Sequence, residues 1–412
     1  MKYGCIGEHL KHSFSKEIHN CLSNYEYELK EIPKDEFEGF IKRHDFVGIN
    51  VTIPYKETVI PYLYYIDDSA KEIGAVNTVV NRNGKLYGYN TDFYGMCMLI
   101  AYAGVNLKNR KVAILGTGGT SKTARAVSKS LFAKEILTVS RTKKDGTVTY
   151  DELYEYHKDL DVIINTTPVG MFPNNFGKPI DITKFPQLSG VIDVVYNPLK
   201  TQLISDSKKL GIMAEGGLYM LVAQAVLASE IFLNKKFEAK KLNKVFEKLK
   251  KQKENIVLIG MPSSGKSTVG KELAKRLDRK FYDTDELIAQ KMGITPFEII
   301  TSKGEEYFRR LECEVVKDLS KETGVVISTG GGVVLSKENV SALSQNGRIY
   351  FLDRPLDLLM PTDDRPLTST RESLVRKYNE RLPIYNESAN VIVDASGDVL
   401  TVANSIIGDF QS

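Results

Sequence analysis

Short apolar runs separated by amphipathic stretches extend along the whole chain, and they predict alternating strands and helices from end to end. Before residue 93, β-rich runs at 27–32, 47–53 and 75–80 alternate with helical patterns at 19–25 and 35–43, which predicts an α/β domain. Asn83-Gly84 separates the runs 76–81 and 85–89 and predicts a hairpin, because Asn-Gly suits a tight turn that needs positive φ. From 110 to 213, strand candidates at 112–115, 136–140, 162–165 and 191–195 alternate with helices, as a parallel sheet requires. Residues 235–254 are lysine-rich, with Leu242, Val245, Phe246 and Leu249 at helical spacing; they predict a boundary helix with a solvated charged face and imply no partner. A second α/β alternation follows, with strands near 257, 325–328, 349–352 and 391–393. No internal repeat or low-complexity tract interrupts it.

At 412 residues the chain exceeds what one core usually supports, so several domains are expected. Its 56 basic and 52 acidic residues nearly balance, which disfavours a dedicated nucleic-acid binder. Cys5, Cys21, Cys97 and Cys313 show no metal or disulfide spacing and fit reduced thiols. The start lacks a signal-peptide core, and the apolar stretch 216–233 contains Gln224, Ser229 and Glu230, which suits a packed helix better than a membrane span. A cytoplasmic protein without a membrane partner is expected.

Two glycine loops carry the chemistry. The first, Gly116-Thr-Gly118-Gly119-Thr120-Ser121, follows the apolar run 111–115 and opens the helical stretch 123–131, the context of a dinucleotide site. At the end of the next strand stands Ser140-Arg141-Thr142, where an NAD site would place an acid on the ribose. Arginine and threonine there suit a 2′-phosphate, hence NADPH, whereas Lys143 and Lys144 read as a basic surface turn. Upstream, Lys56 in Asn50-Val-Thr52-Ile-Pro-Tyr-Lys56-Glu and Asp92 in Asn90-Thr-Asp92 supply a proton donor and its carboxylate partner for a carbonyl reduction. None of the five histidines belongs to this pair.

The second loop, Gly260-Met-Pro-Ser263-Ser264-Gly265-Lys266-Ser267-Thr268, has full P-loop spacing after the run 255–259. It predicts ATP, with Lys266 on the β- and γ-phosphates and Ser267 on Mg2+. Asp283 and Asp285 follow two residues apart, one for the metal and one for an acceptor hydroxyl. Arg309, Arg365 and Arg381, with Gly330, Gly331 and Gly332, complete a set able to clamp a carboxylate and neutralise a phosphoryl group in transfer.

Up to residue 233 these segments resemble shikimate dehydrogenase. The resemblance runs through the opening Gly7-Glu-His-Leu-Lys-His-Ser13-Phe-Ser15, where Lys16 replaces a usual proline, and through Gly74-Ala-Val-Asn77-Thr, Asn165-Thr-Thr-Pro-Val-Gly-Met171, Asp193-Val-Val-Tyr196 and Gly216-Gly217 to Gln224. It implies that Ser13, Ser15, Thr52, Asn77, Asp92 and Gln224 bind shikimate, that Lys56 and Asp92 manage the proton, and that Tyr196 and Gly217 lie at the cofactor. It also implies that the helix at 220–231 returns to the first domain. From residue 255 onward the chain resembles shikimate kinase. That resemblance implies Asp283 at magnesium, Asp285 as base and substrate ligand, Arg309, Arg381 and Gly330 to Gly332 on shikimate, and Arg365 on the transferring phosphate.

The expected fold is therefore α/β: a two-lobed dehydrogenase with substrate domain 1–102 and Rossmann NADP domain 103–234, a linker at 235–254, and a P-loop kinase domain with a parallel sheet at 255–412. The expected function is NADPH-dependent reduction of 3-dehydroshikimate followed by Mg-ATP-dependent phosphorylation of shikimate. Three readings compete with it: a quinate or NAD preference in the first half, one catalytically silent regulatory half, or an adenylate-kinase-like second half. One departure concerns the segment before Arg365, which is short and has Met360 where an arginine often packs on adenine. Met360→Arg is expected to tighten ATP binding, and an unchanged Michaelis constant for ATP would count against that expectation.

Overall fold

The computed structural model describes residues 1–10, 14–360 and 370–412. Two compact units emerge, Met1–Asn197 with Thr201–Leu249, and Pro198–Lys200 with Lys250–Ser412. The first unit holds two six-stranded sheets and the second a five-stranded sheet.

In the first sheet, β1 (Tyr3–Gly7), β2 (Tyr27–Glu31), β3 (Gly48–Val51), β4 (Tyr65–Ile66), β5 (Thr78–Arg82) and β6 (Lys85–Tyr89) lie in the order β2-β1-β3-β5-β6-β4. Strands β5 and β6 form the Asn83-Gly84 hairpin, in which both turn residues take positive φ, 53° and 78°. Strand β3 ends at Val51, two residues short of the apolar run. The Tyr55 N–H returns to the Thr52 carbonyl and starts the short helix Tyr55–Thr58, which carries Lys56. Strand β5 likewise begins only at Thr78. The preceding loop is pinned by the Val76 N–H on the Lys56 carbonyl and the Asn77 N–H on the Tyr89 carbonyl.

The second sheet is parallel throughout. Its strands are β7 (Lys111–Leu115), β8 (Glu135–Ser140), β9 (Val148–Thr149), β10 (Val162–Asn165), β11 (Gly190–Asp193) and β12 (Met213–Glu215), in the order β12-β11-β10-β7-β8-β9. That is the doubly wound order, with the topological switch between β7 and β10. The third sheet is also parallel: β13 (Asn255–Ile259), β14 (Phe281–Asp283), β15 (Val326–Ser328), β16 (Gly347–Asp353) and β17 (Val391–Asp394), in the order β14-β15-β13-β16-β17. The central strands β7 and β13 are apolar without alternation because helices cover both faces of such sheets.

Two helices differ from the sequence expectation. The first spans Ser15–Leu22 rather than 19–25; its start at Phe14 has no side-chain cap to mark it. The lysine-rich helix spans Lys241–Lys253 rather than 235–254, and its apolar face is packed, with Phe246 meeting Tyr219 edge-on at 5.0 Å and Tyr102 at 5.4 Å. Only its charged face is solvated. Among the described residues no helix is long and apolar enough to cross a membrane.

Candidate active sites

In the first unit, the short helix after β3 presents Lys56 and the first turn of the helix Thr91–Tyr102 presents Asp92. Their Nζ and Oδ2 atoms are 2.6 Å apart, in a partly buried ion pair. Beside them a buried polar chain fixes two amides. Asn77 Oδ1 accepts from the Thr91 N–H at 2.7 Å and from the Thr91 and Thr78 hydroxyls at 3.2 and 3.1 Å. With that oxygen engaged, the Asn77 amide nitrogen is the end left to donate to a ligand. Gln224 joins the chain by accepting the Thr91 hydroxyl at 3.4 Å, while its own amide donates to the Leu221 carbonyl. Gln224 belongs to the helix Leu218–Leu233, which packs on the helices Thr91–Tyr102 and Ser15–Leu22 and on β3 and β5. Thr52 lies close over Gly7, where any Cβ would be 2.6 Å from its methyl. Ser15 opens its helix, and Ser13 lies outside the described residues. Under the ion pair sits Cys5, whose thiol burial pushes up to about 12, so it stays neutral.

The glycine turn follows β7. Gly116 has φ 106°, and a Cβ there would sit 3.0 Å from the Thr166 hydroxyl. Above Gly118 and Gly119 the space is open, which leaves room for a phosphate to approach the backbone at the start of the helix Gly119–Ser130. Thr120 lies in that first turn, and the Ser121 hydroxyl donates back to the Gly118 carbonyl at 2.6 Å. At the end of β8, Ser140 is buried while Arg141 and Thr142 are exposed. The two lysines that follow separate. Lys143 pairs with Glu152 at 2.7 Å, whereas the Lys144 ammonium reaches the Thr117 hydroxyl of the glycine turn at 3.5 Å. The Tyr196 ring lies 5.3 Å from that of Phe14. Gly217 has a packing reason of its own, since a Cβ would be 2.1 Å from the Val194 carbonyl oxygen.

In the second unit, the loop after β13 runs from Gly260 (φ 150°) through Ser263 (φ 66°) and buried Ser264 to Gly265 (φ 90°), where the helix Lys266–Leu277 starts. Lys266 is buried and its ammonium donates to the Gly260 and Met261 carbonyls at 3.0 and 2.8 Å. The Ser267 hydroxyl meets Asp283 Oδ2 at 2.7 Å, and Thr268 follows in the same first turn. Asp283 ends β14 and caps the helix Thr284–Met292 through Oδ1, which places Asp285 in that helix's first turn.

Ser263, Gly265, Lys266, Ser267, Thr268, Asp283 and Asp285 line a cavity of about 1190 Å³ together with Arg309, the triple glycine and Arg381. All three glycines are crowded by their neighbours. A Cβ on Gly330 would meet Asp285 Oδ1 at 2.6 Å, one on Gly331 the Pro262 ring at 2.8 Å, and one on Gly332 the Arg309 guanidinium at 2.2 Å. Arg309 bonds Glu312 at 2.9 and 3.0 Å and Glu305 at 3.0 Å. Burial alone would lower the Arg309 pKa, but the two glutamates hold it above its ordinary value. Burial pushes Glu312 up to about 7 even against Arg309, because it is only 1% exposed. Arg381 is 3% exposed and donates through Nη1 to the Gly331 carbonyl at 3.0 Å. Its Nε and Nη2 find no hydrogen-bond partner among the described residues. Arg365 lies outside the described residues. Met360 is 66% exposed, and its carbonyl accepts the Ser263 hydroxyl at 2.9 Å.

Sequence reasoning missed Thr91 and Glu312. Thr91 stands between two residues that were singled out, and only the fold turns its N–H toward Asn77. Glu305 and Glu312 sit four before and three after Arg309 in the helix Glu305–Leu319, a spacing that puts both on the arginine's face and was legible as a signal.

Residues 5–79 match the family model for the shikimate dehydrogenase substrate binding domain, and residues 262–411 match that for shikimate kinase. The NADP(+) shikimate dehydrogenase of Clostridium perfringens is 37% identical over 266 residues, covering 60% of this chain and 98% of the relative. That of Halothermothrix orenii is 39% identical over 259 residues, covering 56% and 89%. Among solved structures, a chorismate mutase/shikimate 5-dehydrogenase fusion protein from Clostridium acetobutylicum aligns with a TM-score of 0.57 and 35% identity, covering 60% of this chain and 96% of that one. Shikimate 5-dehydrogenase of Thermus thermophilus in complex with NADP(H) and shikimate aligns with a TM-score of 0.54 and 25% identity, covering 60% and 99%. The chain belongs to the shikimate dehydrogenase family, and a shikimate kinase domain follows in the same chain.

Proposed function

We propose that the two sites reduce 3-dehydroshikimate to shikimate and then phosphorylate shikimate on its 3-hydroxyl. The observation that carries this reading is the presence, in one chain, of the Lys56–Asp92 pair beside Asn77 and Gln224 and of a P-loop cavity holding buried Arg381. NADPH supplies the hydride and Mg-ATP the phosphoryl group.

At the first site, Lys56 gives a proton to the carbonyl oxygen as charge develops there, and Asp92 keeps the ammonium in place at 2.6 Å. Asn77, Gln224, Thr52, Ser13 and Ser15 bind the hydroxyls and carboxylate. Gly116, Gly118, Gly119, Thr120 and Ser121 would hold the pyrophosphate of NADPH, Ser140, Arg141 and Thr142 its 2′-phosphate, and Tyr196 and Gly217 would face its other nucleotide.

At the second site, Gly260, Ser263, Ser264, Gly265, Lys266 and Thr268 cradle the phosphates. Ser267 and Asp283 would hold Mg2+; two hard oxygens 2.7 Å apart beside a P-loop suit a small cation that shares its shell with phosphate and water. Bound there, the ion would offset phosphate charge. Arg381 and Arg309 bind the substrate carboxylate against Gly330, Gly331 and Gly332. The two Arg381 donors left over by the fold match a carboxylate in bidentate fashion. Asp285 takes the hydroxyl proton and Arg365 stabilises the transferring phosphate.

The test supplies 3-dehydroshikimate, NADPH and Mg-ATP to the wild type, Lys56→Ala and Lys266→Ala, following NADPH oxidation and ADP release separately. Lys56→Ala should lose reduction yet phosphorylate added shikimate, and Lys266→Ala should do the reverse. Loss of both activities in either folded variant would sink the reading of two independent sites.

A further inference from the structure

We propose that Asp193 is a positioning residue of the reduction site, fixing the loops after β10 and β11 around the nicotinamide end of the cofactor. The inference rests on the reading of the second sheet as the NADPH site. Asp193 ends β11 and is fully buried. Among the described residues no ammonium or guanidinium pairs with it. Instead, three neutral donors converge on its carboxylate. The Asn165 amide and the Val195 N–H reach Oδ1 at 2.9 and 3.1 Å, and the Thr201 hydroxyl reaches Oδ2 at 2.7 Å.

Each donor belongs to a different segment: the end of β10, the loop after β11, and the N-cap of the helix Gln202–Lys209. From Asn165 the chain of bonds continues, because its Oδ1 accepts the Thr167 N–H at 3.1 Å and the Thr167 hydroxyl at 2.7 Å. Between them the Thr166 hydroxyl donates to the Leu115 carbonyl at 2.6 Å and abuts Gly116, so this loop is keyed to the glycine turn. On the other side, the Val195 carbonyl accepts the Gly217 N–H at 2.9 Å, and Tyr196 is the next residue. One carboxylate therefore sets the spacing between the glycine turn, Tyr196 and Gly217.

The placement in the sheet says which end of the cofactor is concerned. Arg141 and Thr142 follow the end of β8, on one side of the switch point, where the proposed reading puts the adenosine ribose. The crevice on the β10 and β11 side then receives the other nucleotide. Burial pushes the Asp193 carboxyl up to about 6 despite its three hydrogen bonds. An apolar side chain would avoid that desolvation, so the carboxylate is accounted for by the bonds it accepts.

The test compares full-length wild type, Asp193→Ala, Asp193→Asn and Thr201→Val. Reduction of 3-dehydroshikimate is followed by kcat, the KM for NADPH, and the primary isotope effect with NADPH deuterated at C4. Phosphorylation of added shikimate and thermal unfolding check the fold. In Asp193→Ala, kcat should fall by about 10²-fold, the scale of an ångström-level misplacement of reacting groups. Its KM for NADPH and its isotope effect should both rise while phosphorylation is unchanged. Asp193→Asn keeps Oδ1 as an acceptor and can donate to the Thr201 hydroxyl, so it should stay close to wild type. Thr201→Val should shift the same parameters in the same direction, less strongly.

An Asn variant as impaired as the Ala variant would overturn the proposal, because the charge rather than the geometry would then matter. So would a reduced kcat with unaltered KM and isotope effect, the mark of a smaller folded fraction. If Asp193→Ala does not fold, an unperturbed Thr201→Val is the overturning result. A wild type that fails to oxidise NADPH with 3-dehydroshikimate removes the underlying reading, whereas an active wild type with an unperturbed Asp193→Ala removes only the proposal.

Discussion

Gly332 and Glu312 show how one arginine is aimed. A methyl on Gly332 would overlap the Arg309 guanidinium and push it off Glu312 and Glu305, which hold it in place. Gly332→Ala is expected to raise the KM for shikimate in the kinase reaction by tenfold or so, about 1.4 kcal/mol, and to lower the melting temperature of the second unit, because Glu312 loses its buried partner. Steady-state kinetics beside thermal unfolding checks this. Glu312 is titratable in the working range. Burial holds its folded pKa at about 7, above the ordinary 4.5, so its contribution to stability is fully present below pH 4.5 and is lost as pH rises through about 7. In Glu312→Gln that falling limb should flatten, as read by chemical unfolding at pH 5 and pH 8. An identical pH slope in the variant would show that another group is responsible.

At the scale of elements, the sites depend on where strands stop. Strand β3 gives way at Thr52 to the turn that lifts Lys56, and Asn77 is presented by the loop before β5, although both lie within runs that read as continuous strand. A local turn from the Tyr55 N–H to the Thr52 carbonyl follows β3, and bonds to Lys56 and Tyr89 hold the loop before β5, so apolar periodicity alone could not locate the strand ends. The edge strands β4, β9 and β12 are two or three residues long, too short for any period to register. The lysine-rich helix tells a related story: its charge was legible, but its apolar face is docked. Phe246→Ala should destabilise the first unit by about 3–5 kcal/mol, the usual cost of truncating a buried aromatic ring. Lys244→Gln on the exposed face should be neutral. Denaturant unfolding followed by loss of reductase activity distinguishes the two.

For the whole molecule, two compact units with separate cores and separate nucleotide loops predict separable unfolding. In calorimetry, NADP+ should raise one transition and Mg-ADP the other, each by its own binding free energy. A single transition moved equally by either ligand would contradict the prediction.

Much of the candidate chemistry was legible in the sequence. The glycine loops, Lys56, Asp92, Asp283 and Asp285 occur in short motifs whose spacing is local, and local spacing sets backbone geometry wherever a strand passes through a tight turn into a helix. The parallel sheets were legible for the same kind of reason, since strands covered on both faces must be apolar without alternation. What only the tertiary structure decided was partnership across distance. It linked Asn77 through Thr91 to Gln224. It pressed Gly332 against Arg309, sent Lys143 to Glu152 and Lys144 to the glycine turn, and gathered three loops on Asp193. Such contacts depend on which faces meet when separate elements pack, and residues far apart in the chain carry no periodic record of that meeting.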